Sequence, residues 1–135
     1  MDMMDKEKLY IYVGNQIKKF RTERGMTQKE LGDKLGIRHT TISDYEKGRI
    51  APKQDVMFAL SRVFDVSIDD FFPLNDGSKR LEQALKLSTE DDLSVEDINF
   101  LSHLIIQTKK LKGEERQKFL DNIRLAVKFF NKEDE

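Results

Sequence analysis

The residues from His39 to Lys47 carry the side chains best suited to recognition chemistry in this chain. At helical spacing, the small polar and basic side chains fall on one side: Thr40, Ser43, Asp44 and Lys47. The least polar side chains fall on the other side and are expected to point into the protein: Thr41, Ile42 and Tyr45. A short helix with one small polar face suits the DNA major groove, which is about 12 Å wide and presents a distinct hydrogen-bonding pattern for each base pair.

Two short helices joined by a tight turn are predicted to hold this polar face outward. The first opens with a capping box formed by Thr27 and Glu30 and stops at Gly36, and the second begins near His39. Gly32 lies inside the first helix, where glycine costs about 1 kcal/mol relative to alanine. That cost suggests a packing reason, namely that the second helix approaches closely at this position.

Three further helices are predicted to complete an all-α domain over residues 1–73. The first runs from about Lys6 to Arg24, with apolar residues at helical spacing and Gly25 as a C-terminal cap. Another follows Pro52, and a brief fifth helix ends before Pro73. Five short helices with short connections indicate a compact domain.

The run from about Val13 to Phe72 resembles the helix-turn-helix of the Cro and phage-repressor family, often called XRE-type regulators. The shared marks are Thr27-Gln28, Glu30-Leu31, Leu35-Gly36, Thr41-Ile42-Ser43, Tyr45-Glu46, Gly48, Pro52, Leu60, Val66-Ser67-Ile68 and Phe71. The resemblance covers roughly half of the chain. It implies a five-helix repressor-like DNA-binding domain whose third helix is the recognition helix. It also implies a sequence-specific transcriptional regulator, with double-stranded DNA as partner and no cofactor.

The resemblance implies roles for individual residues. Four match positions from which family members touch bases: His39, Thr40, Ser43 and Asp44. Three match positions that contact the phosphate backbone: Gln28, Lys47 and Arg49. Arg21 and Glu46 match a buried ion pair that ties the first helix to the recognition helix.

The chain departs from the family pattern at Arg38, where family members usually have Ser or Thr to cap the recognition helix. Arginine is a poor N-cap, at a cost of about 1 kcal/mol, but it reads guanine or phosphate well, so Arg38 is predicted to contact DNA. Asp44 is also unusual, because phosphates repel a carboxylate, although it can accept a hydrogen bond from cytosine N4. Lys18, Lys19 and Arg24 are either phosphate contacts or an ordinary solvated helix face.

The second half is predicted to contain a linker over residues 74–93, with a possible short helix from Lys79 to Leu87, and then a helical hairpin over residues 94–131. The two helices of the hairpin carry apolar stripes with little else to cover them. The stripes are predicted to form a homodimer or higher homo-oligomer through Ile98, Leu101, Ile105, Phe119, Ile123, Val127 and Phe130. A two-fold dimer would read two half-sites about 34 Å apart.

The composition narrows the classes of function. The chain has no cysteine and only two distant histidines, His39 and His103, so neither a disulfide nor a metal site is expected. No catalytic constellation or phosphate-binding glycine loop stands out, so an enzyme is not expected. The charged N-terminus lacks the apolar run of a signal peptide, and no stretch approaches about 20 apolar residues. A cytoplasmic protein with no membrane partner is therefore expected.

Three functions remain open, because a net charge of -1 does not identify the partner. The first is a stand-alone repressor that binds operator DNA as a dimer. The second is a DNA-binding regulator whose C-terminal hairpin binds a regulatory protein, such as an antirepressor or a toxin. The third is a protein-interaction module without DNA binding, which is disfavoured because Gln28, Lys47 and Arg49 keep phosphate-contact chemistry.

Overall fold

The computed structural model describes residues 5–75, 77–87, 93–109, 112–115, 117–118 and 121, and these ranges contain helices and no strand. The elements in chain order are α1 (Lys6–Glu23), α2 (Gln28–Leu35), α3 (His39–Glu46), α4 (Gln54–Phe64), a 3-10 helix (Ile68–Phe71), α5 (Arg80–Leu87) and α6 (Val95–Lys109). The all-α class and the five N-terminal helices agree with the sequence predictions. The fifth is a single 3-10 segment of four residues.

Local capping interactions explain where α2, the first helix of the motif, begins and ends. At the start of α2, the Glu30 backbone N–H donates to the Thr27 hydroxyl at 3.0 Å, and the Thr27 backbone N–H donates to the Glu30 carboxylate at 3.1 Å. This is the predicted capping box. Gly36 ends α2 in the left-handed conformation, at φ 69°, which turns the chain toward α3.

Three phenylalanines from separate elements form an aromatic cluster in the core. Phe20 of α1 lies with its ring centroid 5.9 Å from that of Phe64 and 5.3 Å from that of Phe71. Arg24 covers this cluster, since its guanidinium donates to the Phe64 carbonyl at 2.6 and 3.0 Å and to the Phe20 carbonyl at 2.9 Å. Arg24 thus has a structural contact, and Lys18 and Lys19, the other two basic residues whose role the sequence left open, are exposed on α1.

Helix α5 agrees with the short helix predicted from Lys79 to Leu87, but it packs on the core rather than lying in a linker over residues 74–93. Leu81 and Leu85 are almost completely buried, at 2% and 1% exposure. The physical reason is Asp69 of the 3-10 helix, whose carboxylate accepts hydrogen bonds from the Leu81 N–H at 2.9 Å and the Glu82 N–H at 3.0 Å. The buried Asp69 carboxylate thus caps the N-terminus of α5 and interacts favourably with its helix dipole.

Helix α6 lies against α1 and α5 through one of its faces. Val95 and Ile98 belong to the common hydrophobic core, and Ile98 is fully buried within its own chain. The expected oligomer role of Ile98 is therefore corrected, because α1 and α5 cover this part of the stripe. Tyr10 of α1 donates a hydrogen bond to the Glu96 carboxylate of α6, which joins the two helices at the surface.

Most of the second helix of the predicted hairpin, which was expected from Glu114 onward, falls outside the described residues. The oligomerisation residues expected on this helix also lie outside the described residues: Phe119, Ile123, Val127 and Phe130. Leu101 and Ile105 of α6 are described and half-buried, and they pack beside the core. Their oligomer role stays a prediction.

Candidate nucleic-acid interface

Helix α3 is fixed by its apolar side, which leaves its polar side facing solvent. Ile42 is fully buried, and Tyr45 is 7% exposed. The residues predicted to touch bases lie on the outer side, where His39 and Thr40 are exposed and Ser43 and Asp44 are half-exposed. Two of the residues predicted to contact the DNA backbone, Lys47 and Arg49, are exposed just after the helix.

The backbones around α3 are so close that two glycines are required. A Cβ atom on Gly32 of α2 would overlap the Ile37 carbonyl oxygen in the turn before α3. A Cβ atom on Gly14 of α1 would overlap the Tyr45 carbonyl oxygen and lie 2.8 Å from the Glu46 carbonyl oxygen. The predicted packing reason for Gly32 is confirmed, although the contact is made by the turn rather than by the body of α3. Gly14 was not identified from the sequence.

A buried hydrogen-bond network ties α1 and α2 to the last turn of α3. The Arg21 guanidinium donates to both carboxylate oxygens of Glu46, at 2.6 and 2.9 Å, and to the Met26 carbonyl at 2.7 Å. The side chains of Arg21 and Glu46 are only 11% and 4% exposed. The hydrogen bond from Arg21 to Glu46 raises the pKa of Arg21 despite its burial, which keeps the guanidinium charged. Arg21 and Glu46 thus form the ion pair that the resemblance implied.

The side chain of Gln28 joins this network at the start of α2. Its amide nitrogen donates to a Glu46 carboxylate oxygen at 3.1 Å. One amide N–H is therefore committed inside the protein, and the half-buried side chain is held beside the N-terminus of α2. This inner contact was not predicted for Gln28.

The start of α3 has no side-chain cap, as the presence of arginine there suggested. Arg38 occupies the N-cap position, and its exposed side chain makes no capping hydrogen bond to the described backbone. A long cation therefore extends from the end of α3 that carries His39 and Thr40. Its position fits contact with either a base edge or a phosphate.

Asp44 and Arg49 form a surface ion pair that sequence spacing did not predict. The Arg49 guanidinium lies 3.5 Å from the Asp44 carboxylate, and the side chains are 65% and 40% exposed. The Arg49 backbone N–H also donates to the Asp44 carbonyl at 3.0 Å, which brings the loop back over the end of α3. The carboxylate on the recognition face is thus accompanied by a cation that offsets its repulsion of phosphate.

The sequence signals for these missed contacts are weak. Gly14 lies at a helix interior just as Gly32 does, and the same propensity argument would have marked it. The inner contact of Gln28 and the pairing of Asp44 with Arg49 depend on how the helices cross and how the loop turns. Neither feature has a periodic pattern in the sequence.

Two structural findings concern membrane-spanning helices and metal sites. None of the helices in the described ranges is long and apolar enough to cross a bilayer. Among the same residues, no three His, Asp or Glu side chains are grouped so that they could hold a metal ion.

Comparison with known proteins finds matches to the part of the chain that contains α3. A family model described as helix-turn-helix matches residues 17–71. The chain is 41% identical over 61 residues to an HTH-type transcriptional regulator of Archaeoglobus fulgidus, a match that covers 45% of this chain and 87% of that protein. A second HTH-type transcriptional regulator of the same organism is 40% identical over 57 residues, which cover 42% of this chain and 80% of that protein.

A different kind of relative is also similar to this chain. Multiprotein-bridging factor 1 of Candida glabrata is 39% identical over 67 residues. The match covers 50% of this chain and 44% of that protein, so this chain spans less than half of the relative's length.

Proposed function

We propose that this chain, which belongs to the helix-turn-helix family of DNA-binding transcriptional regulators, is a repressor that occupies operator DNA as a dimer. Its family is one of regulators rather than enzymes. The observation that supports the proposal best is the exposed polar side of α3, held outward while Ile42 and Tyr45 are buried. A helix presented in this way can enter the major groove.

The proposed contacts divide into base readout and backbone positioning. His39, Thr40, Ser43 and Asp44 read base edges, since they occupy the outer side of α3. Gln28, Lys47 and Arg49 contact phosphates on either side of the groove and fix the register without carrying sequence information. Arg38 adds a contact at the start of α3.

In vitro selection from a random duplex library with the full chain tests DNA recognition directly. We expect enrichment of one short motif, arranged as two half-sites about 34 Å apart if the dimer is correct. A reporter with the recovered duplex placed across its promoter should then lose expression when the chain is present. Failure to enrich any motif would refute sequence-specific binding. Increased reporter expression would indicate that the chain is an activator and not a repressor.

Replacing Arg38 with alanine should weaken binding to the selected duplex about 5- to 150-fold, the equivalent of about 1–3 kcal/mol for a good arginine–guanine contact. If the arginine contacts phosphate instead, the loss of affinity should be smaller. The slope of log K against log salt should then decrease by about 0.9, the contribution of one phosphate contact. Titrations at several salt concentrations distinguish the two. Arg62→Ala, which removes an exposed arginine of α4, is the control and should leave both quantities unchanged. Unchanged affinity and salt dependence for Arg38→Ala would remove Arg38 from the interface.

Replacing Asp44 with asparagine should relax base choice at one position of the motif. The carboxylate accepts only, and it prefers cytosine N4, whereas an amide also donates and prefers adenine. The change should reduce discrimination at that position by about 1–3 kcal/mol, measured as relative affinities for the four single-base variants. Arg49→Ala removes the other half of the ion pair and should weaken binding to all four duplexes alike. The same preference profile in the parent and in Asp44→Asn would rule out base reading by Asp44.

The dimer is proposed to form through the C-terminal half of the chain. The predicted helical hairpin over residues 94–131 supplies the surface, and it includes the half-buried Leu101 and Ile105 of α6. Sedimentation of the full chain at micromolar concentration should give twice the monomer mass. A monomer would refute the proposal, and a larger species would indicate a higher homo-oligomer.

A second candidate function is bridging to another protein while bound to DNA. Two observations favour it: the similarity to a protein named multiprotein-bridging factor 1, and Phe100 of α6, which is 51% exposed. If the second function is correct, Phe100→Ala should leave DNA affinity and sedimentation unchanged but alter reporter expression at equal promoter occupancy. If expression follows occupancy alone, DNA binding is sufficient and no bridging partner is needed.

A further inference from the structure

The first half of α1 lies directly against the loop that follows α3. At Gly48, where φ is +72°, an added Cβ atom would lie 2.9 Å from the backbone of Ile11. Between α1 and this loop is an open groove of about 480 Å³. Its walls combine one turn of α1 with the proposed phosphate-contact loop: Lys6, Glu7, Tyr10, Ile11, Lys47, Gly48 and Arg49.

The side chains around this groove favour an anion. Three are basic and one is acidic, and two of the bases, Lys47 and Arg49, already belong to the proposed DNA contacts. Lys6 is the third, and its ammonium lies 5.5 Å from the centroid of the Tyr10 ring. Lys6 is exposed, so the chain can turn its charge toward a phosphate without losing a buried contact.

Tyr10 forms a neutral wall of the groove rather than a second negative charge. Its hydroxyl donates to the Glu96 carboxylate of α6, which holds the ring in position. Burial and this hydrogen bond raise the pKa of Tyr10 to about 12, so the phenol stays protonated at neutral pH. Glu7 is therefore the only wall residue of the groove that carries a negative charge at neutral pH.

We infer that the path of the DNA backbone continues from Lys47 and Arg49 onto the first turn of α1, where Lys6 is an additional phosphate contact. This inference rests on the proposed function and extends it to a part of the chain outside the matched region 17–71. Ile11 of α1 lies directly against Gly48 of the loop, and Lys6 lines the same groove, so a duplex positioned by Lys47 and Arg49 brings its next phosphates toward Lys6. The first turns of α1 then enlarge the DNA footprint without adding sequence information.

The salt dependence of DNA binding by the full chain tests this inference. Association constants are measured at several salt concentrations for two probes, the duplex recovered by selection and a mixed-sequence duplex. Each phosphate contact contributes about 0.9 to the slope of log K against log salt. Lys6→Ala should reduce that slope by about this amount on both probes, because phosphate contacts do not depend on sequence. Lys6→Arg should restore it.

Two variants from the same turn of α1 provide matched controls. Lys8→Ala removes an identical charge from an exposed residue that does not line the groove, and it should leave the slope unchanged. Glu7→Gln removes the carboxylate from the groove and should strengthen binding to both probes. Equal slopes for Lys6→Ala and Lys8→Ala would overturn the inference, as would a loss confined to the selected duplex. If the parent chain bound neither duplex, the proposed function itself would fail.

Discussion

Glu46→Ala should lower the free energy of unfolding by about 3–5 kcal/mol, the loss expected when one partner of a buried ion pair is removed. Glu46 is 4% exposed at its side chain and receives two hydrogen bonds from Arg21 and one from Gln28. Without the carboxylate, the Arg21 guanidinium stays buried at 11% exposure with only the Met26 carbonyl as partner. The loss therefore measures an uncompensated charge as well as a missing contact.

Urea denaturation of the parent chain and the variant measures the effect. Glu23→Ala is the matched control, since Glu23 has an ion pair with Arg24 at 3.7 Å but a side chain that is 52% exposed. A surface pair of this kind contributes less than about 1 kcal/mol. Similar losses in the two variants would show that the buried pair does not hold α3. Because the network anchors the last turn of α3, Glu46→Ala should also weaken DNA binding at temperatures where the variant is still folded.

The helices of the motif could be predicted because their boundaries are encoded locally. The capping box of Thr27 and Glu30 and the left-handed Gly36 need only a few neighbouring residues to act. The outward side of α3 was predictable for a similar reason, since Ile42 and Tyr45 recur at helical spacing and must be buried. Both arguments depend on short-range order alone.

The C-terminal half was harder to predict because its contacts are long-range. The sequence predicted a short helix from Lys79 to Leu87, but nothing near Leu81 shows that Asp69 caps this helix and holds it on the core. Ile98 is a second residue whose packing partner could not be predicted from local sequence. Periodicity identified it as part of an apolar stripe, but periodicity does not determine whether the stripe meets its own chain or a second copy. The structure places Ile98 against its own core.

Side-chain interactions across the interface were only partly predictable. The pairing of Arg21 with Glu46 was predicted from the family resemblance rather than from spacing. The resemblance did not predict that Gln28 also donates a hydrogen bond to Glu46. The pairing of Asp44 with Arg49 depends on the turn after α3, whose backbone brings the Arg49 N–H to the Asp44 carbonyl. An unusual carboxylate on the recognition face was visible in the sequence, but the cation that accompanies it was not.

Gly14→Ala should destabilise the protein, although helix propensity alone predicts the opposite. A glycine in a helix interior costs about 1 kcal/mol relative to alanine, so the substitution would normally stabilise α1. Here the new methyl group would overlap the Tyr45 carbonyl oxygen and lie 2.8 Å from the Glu46 carbonyl oxygen. These are backbone atoms at the end of α3, and they cannot move aside as a flexible side chain would. Overpacking of this kind costs about 1–3 kcal/mol, occasionally more.

The net effect expected for Gly14→Ala is therefore a loss of up to about 2 kcal/mol in the free energy of unfolding, as overpacking exceeds the gain in propensity. Asn15→Ala is the matched control, because Asn15 is exposed on the same turn of α1 and its replacement should stabilise the helix by about 0.5 kcal/mol. The two neighbouring substitutions should thus shift the urea midpoint in opposite directions. If Gly14→Ala stabilised the chain as Asn15→Ala does, α1 and α3 could not be as close as described. A small displacement of α3 that relieves the overlap would also misplace its polar side, so DNA affinity should fall in Gly14→Ala but not in Asn15→Ala.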